Sequence, residues 1–271
     1  MAELQGRTLE GRTWVEGLKP GLRVAVSAGA SGIGRAISDM LIRHGARLHI
    51  CDVADDFLAD FRKAYPKHGV TKADVSKEAD VDRFFAEAKA SLGGLDALIN
   101  NAGIAGPTGG VDEIKPEDWR RCIDIDLTGQ FLCARLAVPM LKAAGGGAIV
   151  NMSSAAGRHG YAFRTPYAAA KFGVVGFTQS LAKELGPSNI RVNAILPGIV
   201  EGPRIEGVIK ARAEQLGVSY QEMEKEYLEK VSLRRMVSPH DVAAMVLFLL
   251  SPMGENISGQ SLGVDGNVET L

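Results

Sequence analysis

Three observations predict an α/β chain built on a single doubly wound parallel sheet of about seven strands, with helices on both faces. Short runs of β-branched and aliphatic residues alternate with helical stretches over most of the 271 residues. The strand runs are so rich in Val, Ile and Leu that they suit a sheet buried on both sides. A cluster of glycines falls between the first strand and the first helix, where an open α/β sheet binds its ligand.

Leu22–Ala28 reads as the first strand and Gly32–Arg43 as the first helix, with Ile33, Ile37, Met40 and Leu41 at helical spacing. Ala46–Asp52 is the second strand and Asp55–Tyr65 the second helix. Val70–Val75, Ala97–Asn100, Ala148–Ser153, Ile190–Leu196 and Ser261–Val264 complete the strands. Lys77–Leu92, Pro116–Ala144, Pro166–Leu185 and Pro239–Leu250 read as helices between them. Residues 202–233 break the rhythm. They are charged, helical over Lys210–Gln215 and Tyr220–Lys230, and follow a strand end, so they form either a substrate lid or a solvated excursion. No linker and no fixed-period repeat interrupts residues 21–271, which read as one domain after a polar leader, residues 1–20.

Composition narrows the function classes. With 46% hydrophobic residues the chain can bury one large core. The 31 basic and 32 acidic residues are spread along it, giving a net charge of −1 and no basic stripe for nucleic acid. Three cysteines, Cys51, Cys122 and Cys133, show no CxxC spacing, and the five histidines show no metal-ligand spacing, so neither a disulfide framework nor a metal is expected. The longest apolar run, Val242–Leu250, is too short to span a membrane, and the N-terminus lacks a secretory apolar segment. A cytoplasmic protein is expected.

The glycine cluster reads Ser27-Ala28-Gly29-Ala30-Ser31-Gly32-Ile33-Gly34. Small residues let the backbone turn tightly beside a pyrophosphate, and the following helix points its free NH groups at the anion, which makes the unit Rossmann-type. Asp52 ends the second strand; its carboxylate can accept from both hydroxyls of an adenosine ribose and repel a 2′-phosphate, or it can cap the next helix. The first reading favours NAD over NADP, with Val53 alongside.

The most informative stretch is Thr165-Pro166-Tyr167-Ala168-Ala169-Ala170-Lys171. Thr165 suits a helix N-cap and Pro166 the first helical position, while Gly186-Pro187 suits the stop. Tyr167 and Lys171, four residues apart, share a helix face. A free tyrosine, with a pKa of about 10, is a poor base, but a nearby cation favours the phenolate and lets it shuttle a proton. Ser154, at a strand end thirteen residues earlier, can orient a substrate oxygen.

In this order the motifs resemble the short-chain dehydrogenase/reductase family over about residues 22–268. The glycine cluster is similar to its TGxxxGxG loop, with Gly32 and Gly34 matching the last two glycines but Ser27 for threonine and Ala28 for the first glycine. Asn100-Asn101-Ala102-Gly103 matches NNAG, Pro197-Gly198 the PG motif followed by Ile199 and Val200, and Val264-Asp265-Gly266-Asn267 the C-terminal VDGG. The resemblance implies an oxidoreductase that moves a hydride between nicotinamide and a secondary alcohol or ketone. Tyr167 is then the acid/base, Ser154 positions the substrate oxygen, and Lys171 binds the nicotinamide ribose. Cofactor contacts are implied for Ser27, Gly29, Ser31, Gly32, Ile33, Gly34, Asp52, Val53, Asp74, Val75, Asn101, Ala102, Gly103, Tyr167, Lys171, Pro197, Gly198 and Val200. Asn101 serves either the cofactor or the scaffold.

Two departures stand out. Asp126, in Ile125-Asp126-Leu127-Thr128-Gly129, replaces the asparagine that helps the proton relay, and Gly202 stands near where a threonine is expected. A redox-silent NAD-binding scaffold, or an NAD-recycling epimerase or dehydratase, are therefore the alternatives. Residues between Ser154 and Tyr167 should face the substrate: His159, Tyr161, Arg164, with Arg204 at the lid. Together with Arg158 they can hold a carboxylate or other anion, or can be ordinary surface and subunit contacts. A sugar-derived or cyclic hydroxy compound is the first expectation and an acyl thioester the second. The resemblance also implies a homo-oligomer, a tetramer or dimer.

Overall fold

The computed structural model describes residues 8–9, 12–13 and 17–269. The expected leader, 1–20, falls largely outside them; within it Thr8–Leu9 pairs antiparallel with Arg12–Thr13. The sheet strands are β1 (Arg23–Ser27), β2 (Arg47–Asp52), β3 (Gly69–Lys72), β4 (Ala97–Asn100), β5 (Gly147–Met152), β6 (Ile190–Pro197) and β7 (Ser261–Val264). They form one seven-stranded sheet in the order β3-β2-β1-β4-β5-β6-β7, parallel throughout. The order reverses direction between β1 and β4, and the crevice that this opens lies beyond the carboxyl ends of the strands.

The helices are α1 (Gly32–Arg43), α2 (Asp55–Ala64), α3 (Glu78–Leu92), α4 (Pro116–Ile123), α5 (Gly129–Ala143), α6 (Thr165–Leu185), α7 (Pro203–Leu216), α8 (Tyr220–Glu229) and α9 (Pro239–Leu250). Side chains alternate across the sheet because the strand period is two. Val24 and Val26 of β1 point to a core shared with Ile37 and Leu41 of α1, Leu58 and Phe61 of α2, and Val242 and Val246 of α9. Ala25 points to the opposite core, built from Phe84 and Phe85 of α3, Leu132 and Leu141 of α5, and Leu185 of α6. Both edge strands have only four residues, which limits edge-to-edge pairing. A third cluster, with Ile209 and Ala213 of α7 and Met223 and Tyr227 of α8, packs on Ile199 after β6.

Local chemistry sets the ends. Ser219–Glu222 and Ser238–Asp241 form reciprocal capping boxes at α8 and α9. Several expectations shift. β1 stops at Ser27 because Ala28 takes a left-handed φ of +49°. The third strand is Gly69–Lys72, not 70–75, because the chain leaves the sheet edge at Ala73. The long helix expected over Pro116–Ala144 is interrupted by a π-helical turn, Asp124–Thr128, between α4 and α5. Thr165 is the first residue of α6, not its cap; Arg164 precedes the helix and no side-chain cap forms. At the far end Gly186 stays right-handed and Asn189, at φ +57°, makes the left-handed turn.

Candidate active site

The glycine loop is built from β1, α1 and β4 together. Asn101 Nδ2 donates to the carbonyls of Ala28 and Ser27 at 3.0 and 3.2 Å. Ser27 Oγ accepts from the amides of Asn101 and Ala102, each at 3.0 Å. Ser27 and Asn101 thus tie the loop to β4, with the serine hydroxyl turned inward. Gly34 sits where these groups converge: a Cβ there would lie 1.9 Å from the Ala28 carbonyl oxygen. Ser31 precedes α1 and makes no capping bond, and a Cβ on Gly32 (φ +52°) would meet nothing within 4 Å. The first-turn amides of α1 thus receive no side-chain cap from Ser31, which fits a pyrophosphate.

Asp52 ends β2 with 6% exposure. Its Oδ1 accepts from the Val53 amide at 2.8 Å, as a helix-side turn would use it, while Oδ2 accepts from Ala30 of the glycine loop at 3.3 Å. One carboxylate thus joins the strand end to the loop. Val53 beside it is 58% exposed, an apolar surface at the crevice. Asp74 locks its own turn through the Ser76 amide and hydroxyl at 3.0 and 2.7 Å, and Val75 is buried. Gly198, after Pro197 at the end of β6, donates to the Val264 carbonyl at 3.0 Å, and Val200 bridges to Val237.

Tyr167, Lys171 and Asp126 lie together near the carboxyl end of β5, the strand that Ser154 follows. Ser154 follows β5 and accepts from the Ala156 amide at 3.2 Å. Lys171 lies one turn along α6 from Tyr167, with Nζ 5.5 Å from the phenol ring centroid. That ammonium donates to the Met152 carbonyl at 3.2 Å and stands 3.6 Å from Asp126 Oδ2. Asp126 is fully buried. Its Oδ1 accepts from the Ile104 amide at 2.6 Å, and Oδ2 has no hydrogen-bond donor. The π turn supplies the inward carboxylate, because an extra residue per turn re-aims one side chain. A Cβ on Gly103 would lie 3.3 Å from Lys171 Nζ, so the chain passes the ammonium without a side chain.

Residues of α7 and α8 line an open cleft that meets this cluster at Arg164; Ser154, Tyr167 and Lys171 do not line it. Tyr161 and Arg164 line it; His159 and Arg204 do not. Arg204 instead donates to the Gly103 carbonyl at 2.7 Å, clasping the start of α7 to the segment after β4. Arg158 is exposed and reaches the Ser261 carbonyl at 3.3 Å. Arg164 is almost fully buried, with its guanidinium carbon 5.1 and 5.2 Å from the ring centroids of Tyr167 and Tyr161. Tyr161 and Tyr227 share a hydrogen bond at 3.1 Å across the cleft. Burial, and then the Tyr161 neighbour, push the Tyr227 phenol well up, so it stays protonated. Sequence reasoning missed Arg212, Met223 and Tyr227 as lining residues. The signal available was the apolar spacing of α7 and α8, which shows a buried face without saying what it covers.

A glycine-rich loop at the switch point and a Tyr–Lys pair on α6, its lysine buried, define a nucleotide-dependent oxidoreductase. Comparison with known proteins agrees. Residues 27–268 match the family model described as enoyl-(acyl carrier protein) reductase. The cis-4-hydroxycyclohexanecarboxylate dehydrogenase of Sinomonas cyclohexanicum is 39% identical, over 90% of this chain and 95% of its own. Among solved structures, an actinorhodin polyketide ketoreductase with NADPH superposes with a TM-score of 0.87 at 31% identity, covering 92% of this chain and 98% of that one. An NAD+-bound xylitol dehydrogenase gives 0.88 at 25% identity, covering 92% and 99%. The chain belongs to the short-chain dehydrogenase/reductase family, whose chemistry is hydride exchange between a pyridine nucleotide and a secondary alcohol or ketone.

Proposed function

We propose that the protein is an NAD-dependent dehydrogenase of a secondary alcohol, with Tyr167 as its acid/base. The observation that carries this reading is the Tyr167–Lys171 pair, backed by Asp126 and set against the segment after β4 that Asn101 ties to the glycine loop. NAD supplies the hydride acceptor when bound. Asp52 supports NAD over NADP, since a second negative charge from a 2′-phosphate would face its carboxylate. Arg35 cannot offset that charge, being committed to Asp39 at 2.6 Å and packed on the rings of Phe61 and Tyr65. The other cofactor contacts proposed are the first-turn amides of α1, the backbone at Asn101–Gly103, and Pro197–Val200 after β6. The relative from Sinomonas, named for a hydroxycyclohexane acid, and the xylitol dehydrogenase support a secondary alcohol as substrate.

In this reading the substrate hydroxyl lies between Ser154 Oγ and the Tyr167 phenol. Ser154 fixes the oxygen, and the Tyr167 oxygen takes its proton as the C–H bond breaks. Two cations, Lys171 and Arg164, lie against the phenol ring and favour the charge that forms there. Lys171 is itself held by Met152 and Asp126, so the ammonium is fixed rather than flexible. Asp126 acts as an acceptor facing the Lys171 ammonium. α7 and α8 act as the lid, clasped by Arg204.

The three buried, unpaired cysteines support a reducing, cytoplasmic location. Trp119 on α4, Phe131 on α5 and Phe172 on α6 are exposed large apolar side chains, which supports assembly of copies through these helices into a dimer or tetramer.

The test is absorbance of NADH formed from a panel of cyclic and acyclic secondary alcohols. The wild type is expected to prefer NAD to NADP by about tenfold or more. Tyr167→Phe should lose roughly 10²–10⁴-fold in turnover with NADH binding retained. Full activity in Tyr167→Phe would contradict the assignment.

A further inference from the structure

The cleft that Arg164 shares with the Tyr167 ring carries more positive charge than it can neutralise. Its charged lining is Arg164, Arg212 and Lys230 against Glu226 alone. Lys230 already holds Glu226, at 3.3 Å. Arg212 Nη1 is bonded to the neutral Gln215 Oε1 at 2.6 Å, and its guanidinium stacks 4.8 Å from the Phe163 ring centroid. Arg164 is 4% exposed, stacked between Tyr161 and Tyr167, with Nη2 donating to the Ala105 carbonyl. Its Nε is buried and has no acceptor. Among the described residues neither arginine has a carboxylate within ion-pair distance. A buried guanidinium with an unmatched N–H and no counter-ion is expensive unless a ligand completes it.

Resting on the redox reading above, we propose that the substrate is a small hydroxy acid, bound through its carboxylate by Arg164 and Arg212. The planar, forked guanidinium suits a carboxylate better than a neutral oxygen, and the Tyr161–Tyr227 hydroxyl pair adds further polar groups to the same cleft. Ile199, Val208 and Met223 line the cleft too and accept a hydrocarbon body rather than a polyol. Arg164 lies against the ring of Tyr167 itself, so the acid group and the reacting carbon belong to one compact molecule. On reduction in the reverse direction the same site takes the corresponding oxo acid. The substrate loses one hydride to the cofactor and one proton to Tyr167, while its carboxylate stays ionised and unchanged.

The decisive measurement pairs acids with their neutral amides. Binding of cyclohexanecarboxylate and cyclohexanecarboxamide, neither of which can be oxidised at a carbinol, is measured by calorimetry on the NADH-loaded protein. Turnover is measured with hydroxycyclohexanecarboxylates and their carboxamides. The acid is expected to bind, and to react in kcat/KM, about tenfold to 100-fold better than the amide, as charged hydrogen bonds allow. Arg212→Gln and Arg164→Gln should each shrink that preference to about threefold or less, chiefly through KM, and Arg212→Lys should restore part of it. The half-buried Arg212 keeps the test open if Arg164→Gln fails to fold. Equal binding of acid and amide by the wild type, or an undiminished preference in Arg212→Gln, overturns the acid site. If acids and amides yield NADH equally, the redox reading stands and the acid site falls. If the acid is preferred in binding but no alcohol yields NADH, the acid site stands and the redox reading falls.

Discussion

Ala28 is a residue out of place on local grounds and in place on functional ones. Its φ of +49° is a conformation that costs an L-residue about 1–2 kcal/mol, and it persists because Asn101 and Gly34 fix the carbonyl on its far side. Ala28→Gly should therefore stabilise the fold by roughly 0.5–1 kcal/mol after the extra unfolded-state entropy of glycine is subtracted. The urea midpoint reads this directly; an unchanged or lower midpoint would mean that the methyl packs well enough to offset the strain. The substitution was visible in the sequence as a departure from the loop pattern, and so was Asp126. What each does was not visible. The ion pair of Asp126 with Lys171 joins elements 45 positions apart, and its inward aim comes from a π turn that the helical spacing of Pro116–Ala144 conceals. Arg164 shows the same limit: its place between Ser154 and Tyr167 suggested the substrate side or an ordinary surface contact, and its burial between two tyrosine rings is visible only in the packing.

At the scale of elements, α6 and the α7–α8 pair divide the work. α6 carries Tyr167 and Lys171 on a helix buried along one face, with Ser153 Oγ donating to the Lys171 carbonyl at 2.8 Å. The proposed acid/base pair is thus held by rigid structure. The α7–α8 pair is anchored by the apolar packing of Ile209, Met223 and Tyr227 on Ile199, and by two polar ties, Arg204 to Gly103 and Tyr161 to Tyr227. Removing the first tie in Arg204→Ala should raise the KM for substrate by about threefold, the worth of one hydrogen bond. Faster amide hydrogen exchange in residues 203–216 should accompany it. Unchanged exchange there would show that the apolar packing alone holds the α7–α8 pair. The strands and helices were legible in order and type because both periods are strong; the insertion at 202–233 was legible as a break in that rhythm. Its lining residues were not, because the side chains that enter the cleft depend on how two helices cross over a strand end.

For the molecule as a whole, stability should fall in mild acid for a reason remote from the crevice. His49 on β2 is buried beneath Gly69, where a Cβ would lie 2.0 Å from its Nδ1, and its ring bonds to Thr71 Oγ1 at 2.8 Å and Ser91 Oγ at 2.7 Å. Burial outweighs the attraction of Glu87 and pushes the imidazole down to about 4 from 6.5. Above pH 6.5 both folded and unfolded chains hold it neutral. Below, the unfolded chain takes up the proton first, so stability drops as pH falls toward 4. Between pH 7 and 5 this one group should cost about 2 kcal/mol. His49→Gln should show a smaller drop in urea midpoint over that interval; an equal drop would assign the acid sensitivity to other groups.

The central claim is that a hydride leaves the substrate carbon as Tyr167 takes the hydroxyl proton. It is tested most directly by incubating the protein and NAD with a secondary alcohol deuterated at the carbinol carbon, and locating the label by NMR. The account predicts one deuterium on C4 of the NADH, on a single face, and none when Tyr167→Phe is used under the same conditions. NADH that forms without deuterium, or a Tyr167→Phe protein that transfers the label at the wild-type rate, would contradict it.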